Sequence, residues 1–161
     1  ALTFTTSQKV VSSNSVNWEP GYSANPSDLE PAGQDYTGTL YVARARVNGQ
    51  YIPWRGYFRS NRFYATVAYN GQERETSDCQ ALSRGGTEWQ SLQSRGRVPS
   101  NAVLAGYDPS SHERTYVCRG YVNQQGRRWQ TIGKVFENDV LCRLPYRSQM
   151  RDFEILIDRR C

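Results

Sequence analysis

Apolar and polar residues alternate along most of this chain, and the alternation is broken about every eight to twelve residues by Gly, Pro, Ser or Asn. A period of two puts successive side chains on opposite faces of a strand. Residues 39–47 are the clearest case, mixing β-branched and aromatic types with Arg and Ala and ending at Asn48-Gly49. Asn-Gly between two such runs signals a hairpin, because both residues tolerate the positive φ of a tight turn. Residues 50–58 are then the returning strand, and Pro53 points to an edge or a bulge, since proline brings no ladder donor. Residues 63–69 alternate again and stop at Asn70-Gly71, a second hairpin signal. Residues 115–122, 129–136, 140–144 and 153–157 have the same character. No stretch shows a helical period, so the expectation is an all-β fold.

The chain also repeats itself. The segment from Asn25 to Asp35 aligns without a gap on that from Val98 to Asp108: Pro26-Ser27 on Pro99-Ser100, Ala32-Gly33 on Ala105-Gly106, and Asp35 on Asp108. Tyr41-Val42-Ala43-Arg44 then answers Tyr116-Val117-Cys118-Arg119, Pro53-Trp54-Arg55 aligns with Ile132-Gly133-Lys134, and Tyr69 aligns with Tyr146. Trp18 and Trp89 precede the two blocks. Two tandem copies of a unit of about 70 residues are expected, at 18–83 and 89–157, with a connector at 84–88, an N-terminal extension at 1–17 and a tail at 158–161. That period exceeds solenoid units, so two halves packed with pseudo-twofold symmetry are expected rather than a stack. The strand-like Leu2-Thr3-Phe4-Thr5-Thr6 is expected to cover a sheet edge or a subunit contact.

Length and composition fit this picture: 161 residues, 37% apolar and 22% charged, with 11 tyrosines, describe a globular chain of one compact domain or two small, intimately packed halves. No apolar run approaches the roughly 18 residues of a membrane-spanning helix. Lys9 and Lys134 are the only lysines, so arginine carries nearly all of the positive charge behind the formal +5. His112 is the only histidine and sits in the polar run 110–114 after Pro109, a solvated loop. A His-rich metal site is thereby excluded. The cysteines at 79, 118, 142 and 161 are too far apart for paired CxxC zinc knuckles. No metal and no cofactor is expected. Four cysteines in a chain that begins at Ala1 without Met lead us to expect secretion, with a leader already removed or a mature boundary at Ala1. No Asn-x-Ser/Thr glycosylation site adds support. Cys118 and Cys142 stand where the first copy has Ala43 and Ala65. Two small inward positions that become cysteine together point to a bridge between neighbouring strands, with buried free thiols as the competing reading. Cys79 and Cys161, near the ends of the two units, are candidates to pair with each other. Four cysteines allow three pairings, and the sequence does not choose among them.

The second copy carries a series of landmarks in order: Trp89, Gly96-Arg97-Val98-Pro99, Ala102-Val103, Ala105-Gly106, Asp108, Tyr116-Val117-Cys118-Arg119, Gly133-Lys134-Val135, Cys142, Pro145-Tyr146 and Asp152-Phe153-Glu154-Ile155-Leu156. This series resembles the DM-nine repeat, the natterin-like unit of invertebrate proteins. The first copy keeps Pro26, Ala32-Gly33, Asp35, Tyr41-Val42, Arg44 and Asp78 but has Trp54-Arg55-Gly56 in place of Gly-Lys-Val, and the resemblance covers about residues 18–157. It implies a β-rich tandem-repeat protein, several characterised members being mannose-binding lectins of innate immunity in which an Asp and a Lys of the motif hold the sugar. Those positions are Asp108 and Lys134 here, with Asp35 and Arg55 as the first-copy counterparts. The chemistry is sound, because sugar hydroxyls donate to a carboxylate and accept from a cation in charge-assisted bonds. A guanidinium does not reproduce the geometry of an ammonium, which singles out the first-copy site as altered or inactive. An Asp after Ala-Gly and before a turn commonly caps its own backbone, and that is the competing role for both carboxylates. Trp18, Trp54, Trp89 and Trp129 are either sugar platforms or core. Arg44 and Arg119, equivalent in the two copies, either support the sites or form internal ion pairs.

Two functions follow. One is a secreted, calcium-independent carbohydrate-binding protein with mannose-type or sulfated glycans as partners, bivalent through its two sites or as a homodimer. The other is an arginine-mediated binder of polyanions or anionic surfaces, through Arg95-Gly96-Arg97, Arg127-Arg128 and Arg159-Arg160, with a structural or matrix role. A charge of +5 dispersed among strands does not point to specific nucleic-acid binding. No carboxylate pair stands apart from the repeat and no nucleophile has a nearby base, so no enzyme is expected. Membrane insertion is not expected either, for want of a long amphipathic hairpin.

Overall fold

The computed structural model describes residues 16–93, 96–145 and 148–159. The segment 2–6, Arg95, Tyr146, Arg160 and Cys161, and with it any Cys79–Cys161 bridge, lie outside them. The described chain is all-β, with two single 3₁₀ turns at Gly21–Ser23 and Pro26–Asp28. In order, the strands are β1 Trp18–Pro20, β2 Pro31–Asp35, β3 Gly38–Val47, β4 Gln50–Arg59, β5 Arg62–Tyr69, β6 Gln72–Thr76, β7 Cys79–Leu82, β8 Thr87–Leu92, β9 Leu104–Tyr107, β10 Arg114–Gln124, β11 Arg127–Phe136, β12 Asp139–Leu144, β13 Ser148–Met150 and β14 Phe153–Asp158. All pairings are antiparallel, and they join the strands into one sheet whose main path runs β6-β5-β4-β3-β2-β11-β10-β14-β8.

The long hairpins turn where the local chemistry allows. Asn48-Gly49 and Asn70-Gly71 have positive φ at both central residues, as do Ser60-Asn61 and Gln125-Gly126. This is the backbone of the tight turn that matches strand twist. Pro53 does not sit on an edge strand or at a bulge, since β4 lies between β3 and β5 and runs in unbroken register with β3. β5, however, pairs only with residues 55–59 of β4, so at Pro53 the chain is paired with β3 alone.

Registers recur pair by pair. Val42, Ala43 and Arg44 of β3 face Arg55, Trp54 and Pro53 of β4, while Val117, Cys118 and Arg119 of β10 face Lys134, Gly133 and Ile132 of β11. Trp18 pairs with Leu82 as Trp89 pairs with Leu156, and Gly33 pairs with Leu40 as Gly106 pairs with Thr115. Three apolar clusters follow from this arrangement. One is built by residues of 18–83, including Ala43, Trp54, Phe63 and Ala65. A second is built by residues of 89–157, including Cys118, Val135, Cys142 and Ile155. The third is shared, with Leu40, Val42, Tyr57 and Leu82 from one half against Val117, Ile132, Ala105 and Leu156 from the other.

Cys118 and Cys142 form a disulfide, with Cα atoms 5.9 Å apart. Their strands, β10 and β12, are not the neighbours expected from the sequence, because β11 pairs with both. Two strand spacings in a flat sheet would separate them by roughly 9–10 Å, so the sheet curls to bring them together. Gly133 permits the curl: it faces Cys118, and a Cβ there would run into the Arg143 carbonyl and the Leu144 side chain. In the first half Ala43 and Ala65 stand at the cysteine positions and Trp54 at the glycine position. The indole, 2% exposed, fills the core that the disulfide fills in the second half. Cys79 is a buried free thiol.

Candidate functional site

The Ala-Gly-Gln and Ala-Gly-Tyr triplets that precede Asp35 and Asp108 owe their glycines to contact between residues of 18–83 and 89–157. A Cβ on Gly106 would strike the Tyr51 carbonyl of β4, and one on Gly33 would strike the Gln130 carbonyl of β11. Each triplet is thus pressed against the opposite half, and the Asp that follows is delivered to the seam.

Asp108 leaves β9 into the turn Pro109-Ser110-Ser111-His112. Its Oδ2 accepts from the N–H of Ser110 at 3.1 Å, the N–H of Ser111 at 2.9 Å and the Ser111 hydroxyl at 3.1 Å. The backbone-capping role therefore holds for this residue, but it occupies one carboxylate oxygen, and Oδ1 takes none of these bonds. Partial burial opposes ionisation, yet the Ser111 and Ser110 bonds and the nearby Lys134 charge outweigh it and hold the pKa below the ordinary carboxylate value. His112 is exposed, with positive φ, in a loop as expected.

Lys134 projects from β11 into the seam. Its Nζ donates to the Ala68 carbonyl of β5 at 3.2 Å and lies 5.7 Å from the Trp54 ring centroid and 5.6 Å from that of Phe136. Burial lowers its pKa; Asp108 opposes that shift and Arg143 adds to it. Among the described residues no carboxylate forms an ion pair with Lys134, so Asp108 and Lys134 feel each other's charge without being consumed by contact. Tyr69, next to Ala68, reaches the Asp108 turn from the other half through its hydroxyl, 2.8 Å from the Ser110 hydroxyl. An anionic acceptor, a cationic donor and two hydroxyls thus converge at the junction of the halves, a donor and acceptor set suited to a polyol.

The first-copy pair is built differently. Asp35 Oδ1 accepts from the Thr37 N–H at 2.8 Å and from the Thr37 hydroxyl, so it caps its turn as well. Its Oδ2, however, lies 3.8 Å from Arg55 Nε, and Arg55 Nη1 lies 3.4 Å from Glu73. Both side chains of the Asp35–Arg55 pair are buried, 6% and 8% exposed. The cation is shared by two carboxylates and shut in.

Arg44 and Arg119 fasten the structure away from these pairs. Arg44 stacks 4.2 Å from both the Trp18 and Tyr51 centroids and donates to the Ala105 carbonyl at 2.8 Å and to Gln80 at 2.9 Å. Burial pulls its pKa down to about 10, leaving it charged at neutral pH. Arg119 stacks 4.3 Å from the Trp89 centroid and pairs with Glu154 at 2.8 Å. The internal ion pair, one of the two roles open to both, is formed by Arg119; Arg44, among the described residues, pairs with an amide and a carbonyl instead of a carboxylate. Trp18 and Trp89 pack against the shared core, and Trp54 is core. A cavity of about 610 Å³ lies near Arg46, Arg74 and Asp78, and neither Asp108 nor Lys134 lines it. Among the described residues no three of His, Cys, Asp and Glu gather in a metal-binding group. No helix there is long and apolar enough to cross a membrane.

Ser110 and Tyr69 beside Asp108, and the Ala68 carbonyl and Trp54 beside Lys134, were not anticipated. Asp-Pro-Ser-Ser does mark an Asx turn, so the serines were within reach of local reasoning. The contributions of β5 come from the other half, and no local signal reports them. A family model, the DM9 repeat, matches residues 34–153. No curated protein matches the chain.

Proposed function

The chain belongs to the DM9 repeat family, and on that premise we propose that it is a secreted, calcium-independent, mannose-type lectin that recognises glycans in innate defence, by binding and not by catalysis. The family is associated with lectin-like carbohydrate binding. The observation that carries the reading for this chain is the Asp108–Lys134 pair, not joined by an ion-pair contact, with the Ser110 and Tyr69 hydroxyls beside Asp108. A vicinal diol donates to the free Asp108 oxygen and accepts from the ammonium, replacing the Ala68 carbonyl as its partner.

The recurring registers support two repeats related by a pseudo-twofold axis, with each Asp at the seam. Because Arg55 is engaged by Asp35 and Glu73, we assign one working sugar site per chain. Bivalency then requires a homodimer, which raises avidity through effective concentration without new sugar contacts. The Cys118–Cys142 bridge supports an oxidising, extracellular setting.

A glycan array followed by titration calorimetry with mannose tests this. Mannose-type glycans should be retained in the presence of a calcium chelator, and Asp108→Asn or Lys134→Met should each reduce affinity about tenfold or more, as loss of a charge-assisted bond predicts. Asp35→Asn should change nothing. Absence of sugar binding, or binding indifferent to both second-half substitutions, would refute the proposal.

A further inference from the structure

We propose that a cleft beside the β10–β11 hairpin is a second binding site, for sulfate groups on a polysaccharide. It stands apart from the Asp108–Lys134 pair and does not depend on it. The cleft, about 510 Å³, lies between β2 and the hairpin, and its polar and aromatic lining is Gln34, Arg119, Tyr121, Arg128, Trp129 and Gln130. No carboxylate lines it.

The hairpin carries four arginines, and the two at its turn, Arg127 and Arg128, differ from Arg114 and Arg119 in their partners. Arg55, Arg59, Arg114, Arg119 and Arg143 each pair with a carboxylate. Among the described residues neither Arg127 nor Arg128 does, and both are exposed. Arg128, which lines the cleft, is nonetheless held in place, its guanidinium 3.9 Å from the Tyr121 centroid; Arg127, its neighbour on β11, is outside the lining and lies 5.7 Å from the Trp129 centroid. Stacking on a ring fixes the guanidinium plane and leaves its N–H edges free, and two such N–H groups match two oxygens of a sulfate. The Gln34 and Gln130 amides supply neutral donors and acceptors for the hydroxyls between sulfates. The ring faces of Tyr121 and Trp129 carry guanidinium groups instead of lying open to stack bases, which favours a sulfated chain over a single-stranded nucleic acid.

The corresponding place in the first half is filled. Tyr51 faces Arg46 as Gln130 faces Tyr121, and its ring carries Arg44, which is itself bonded to the Ala105 carbonyl. Gln130 in place of Tyr51, and Glu154 holding Arg119 in place of Gln80 holding Arg44, leave the second-half cleft open.

The test is calorimetric titration of the full chain with a heparin oligosaccharide and with its fully desulfated form. The sulfated form should bind, with affinity falling steeply from low to physiological ionic strength, and the desulfated form should not. Arg127→Gln with Arg128→Gln should lower affinity at least about tenfold, and Gln34→Glu, which places a carboxylate in the cleft, should do the same. Arg62→Gln with Arg74→Gln removes the same charge from exposed positions elsewhere and should cost less than about threefold. Lys134→Met should leave heparin binding intact while abolishing mannose binding, which separates the two sites. Binding indifferent to sulfation, equal losses in the two arginine pairs, or tighter binding to DNA or to anionic vesicles than to heparin would each overturn the assignment.

Discussion

Asp35 with Arg55 and Asp108 with Lys134 occupy corresponding places in two halves of one chain, yet one pair is spent and the other is available. In the first half the guanidinium lies 3.8 Å from Asp35 and 3.4 Å from Glu73, buried and doubly countered. In the second half the ammonium donates to a backbone carbonyl at 3.2 Å and, among the described residues, pairs with no carboxylate. Matched motif positions thus differ in whether the fold satisfies their charge: a forked cation reaches two carboxylates at once, whereas the point charge of an ammonium is left without one. The cores show a parallel exchange, with Trp54 among alanines in one half and a disulfide over Gly133 in the other.

The sharpest way to break this comparison is at the cores. Trp54→Ala should cost about 4 kcal/mol in urea unfolding, because nothing else in the first half fills that volume. Replacing both Cys118 and Cys142 by Ala should cost about 3 kcal/mol, the loop-closure value for their separation, and a reductant should reproduce the loss in the unmodified chain. If the two devices are interchangeable, Ala43→Cys with Ala65→Cys should form a bridge only when Trp54→Gly makes room, as thiol titration would report.

Smaller effects sharpen the comparison of the charged pairs. Arg55→Met strands Asp35 and Glu73 and should cost about 2 kcal/mol while leaving sugar affinity unchanged. Lys134→Met should have the opposite profile, losing sugar binding while gaining about 1 kcal/mol of stability at neutral pH, since a desolvated charge is removed. The pH dependence carries the same sign. Burial places the folded pKa of Lys134 below its unfolded value, so between the two the unfolded chain holds the extra proton and stability rises with pH. Below that window the penalty on the charged form applies in full. Thermal melts across the alkaline range should show this rise in the unmodified chain and its loss in Lys134→Met.

Much of this was readable along the chain. Alternation located β3, β4, β5, β10, β11, β12 and β14, and Asn-Gly located two of the turns, because strand period and turn φ are local properties. The short strands β1, β2, β6, β7, β8, β9 and β13 escaped, since their three to six residues show little alternation, and β1, β7 and β8 pair with strands far away in the chain. The repeat identified Asp35, Arg55, Asp108 and Lys134 as corresponding residues, and the β3–β4 and β10–β11 registers set Arg55 opposite Val42 as they set Lys134 opposite Val117.

Residue identity and spacing therefore specified the longer strands, two of the turns and the candidate charges. The packing of one half on the other settled the rest: that the Ala-Gly glycines exist for contact with Tyr51 and Gln130, that the disulfide crosses a strand, and that Lys134 meets Ala68 while Arg55 meets Glu73. These outcomes depend on contacts between residues far apart in the chain. Side chains of like charge and similar length in matched positions reach different electrostatic ends according to which distant groups the fold sets beside them.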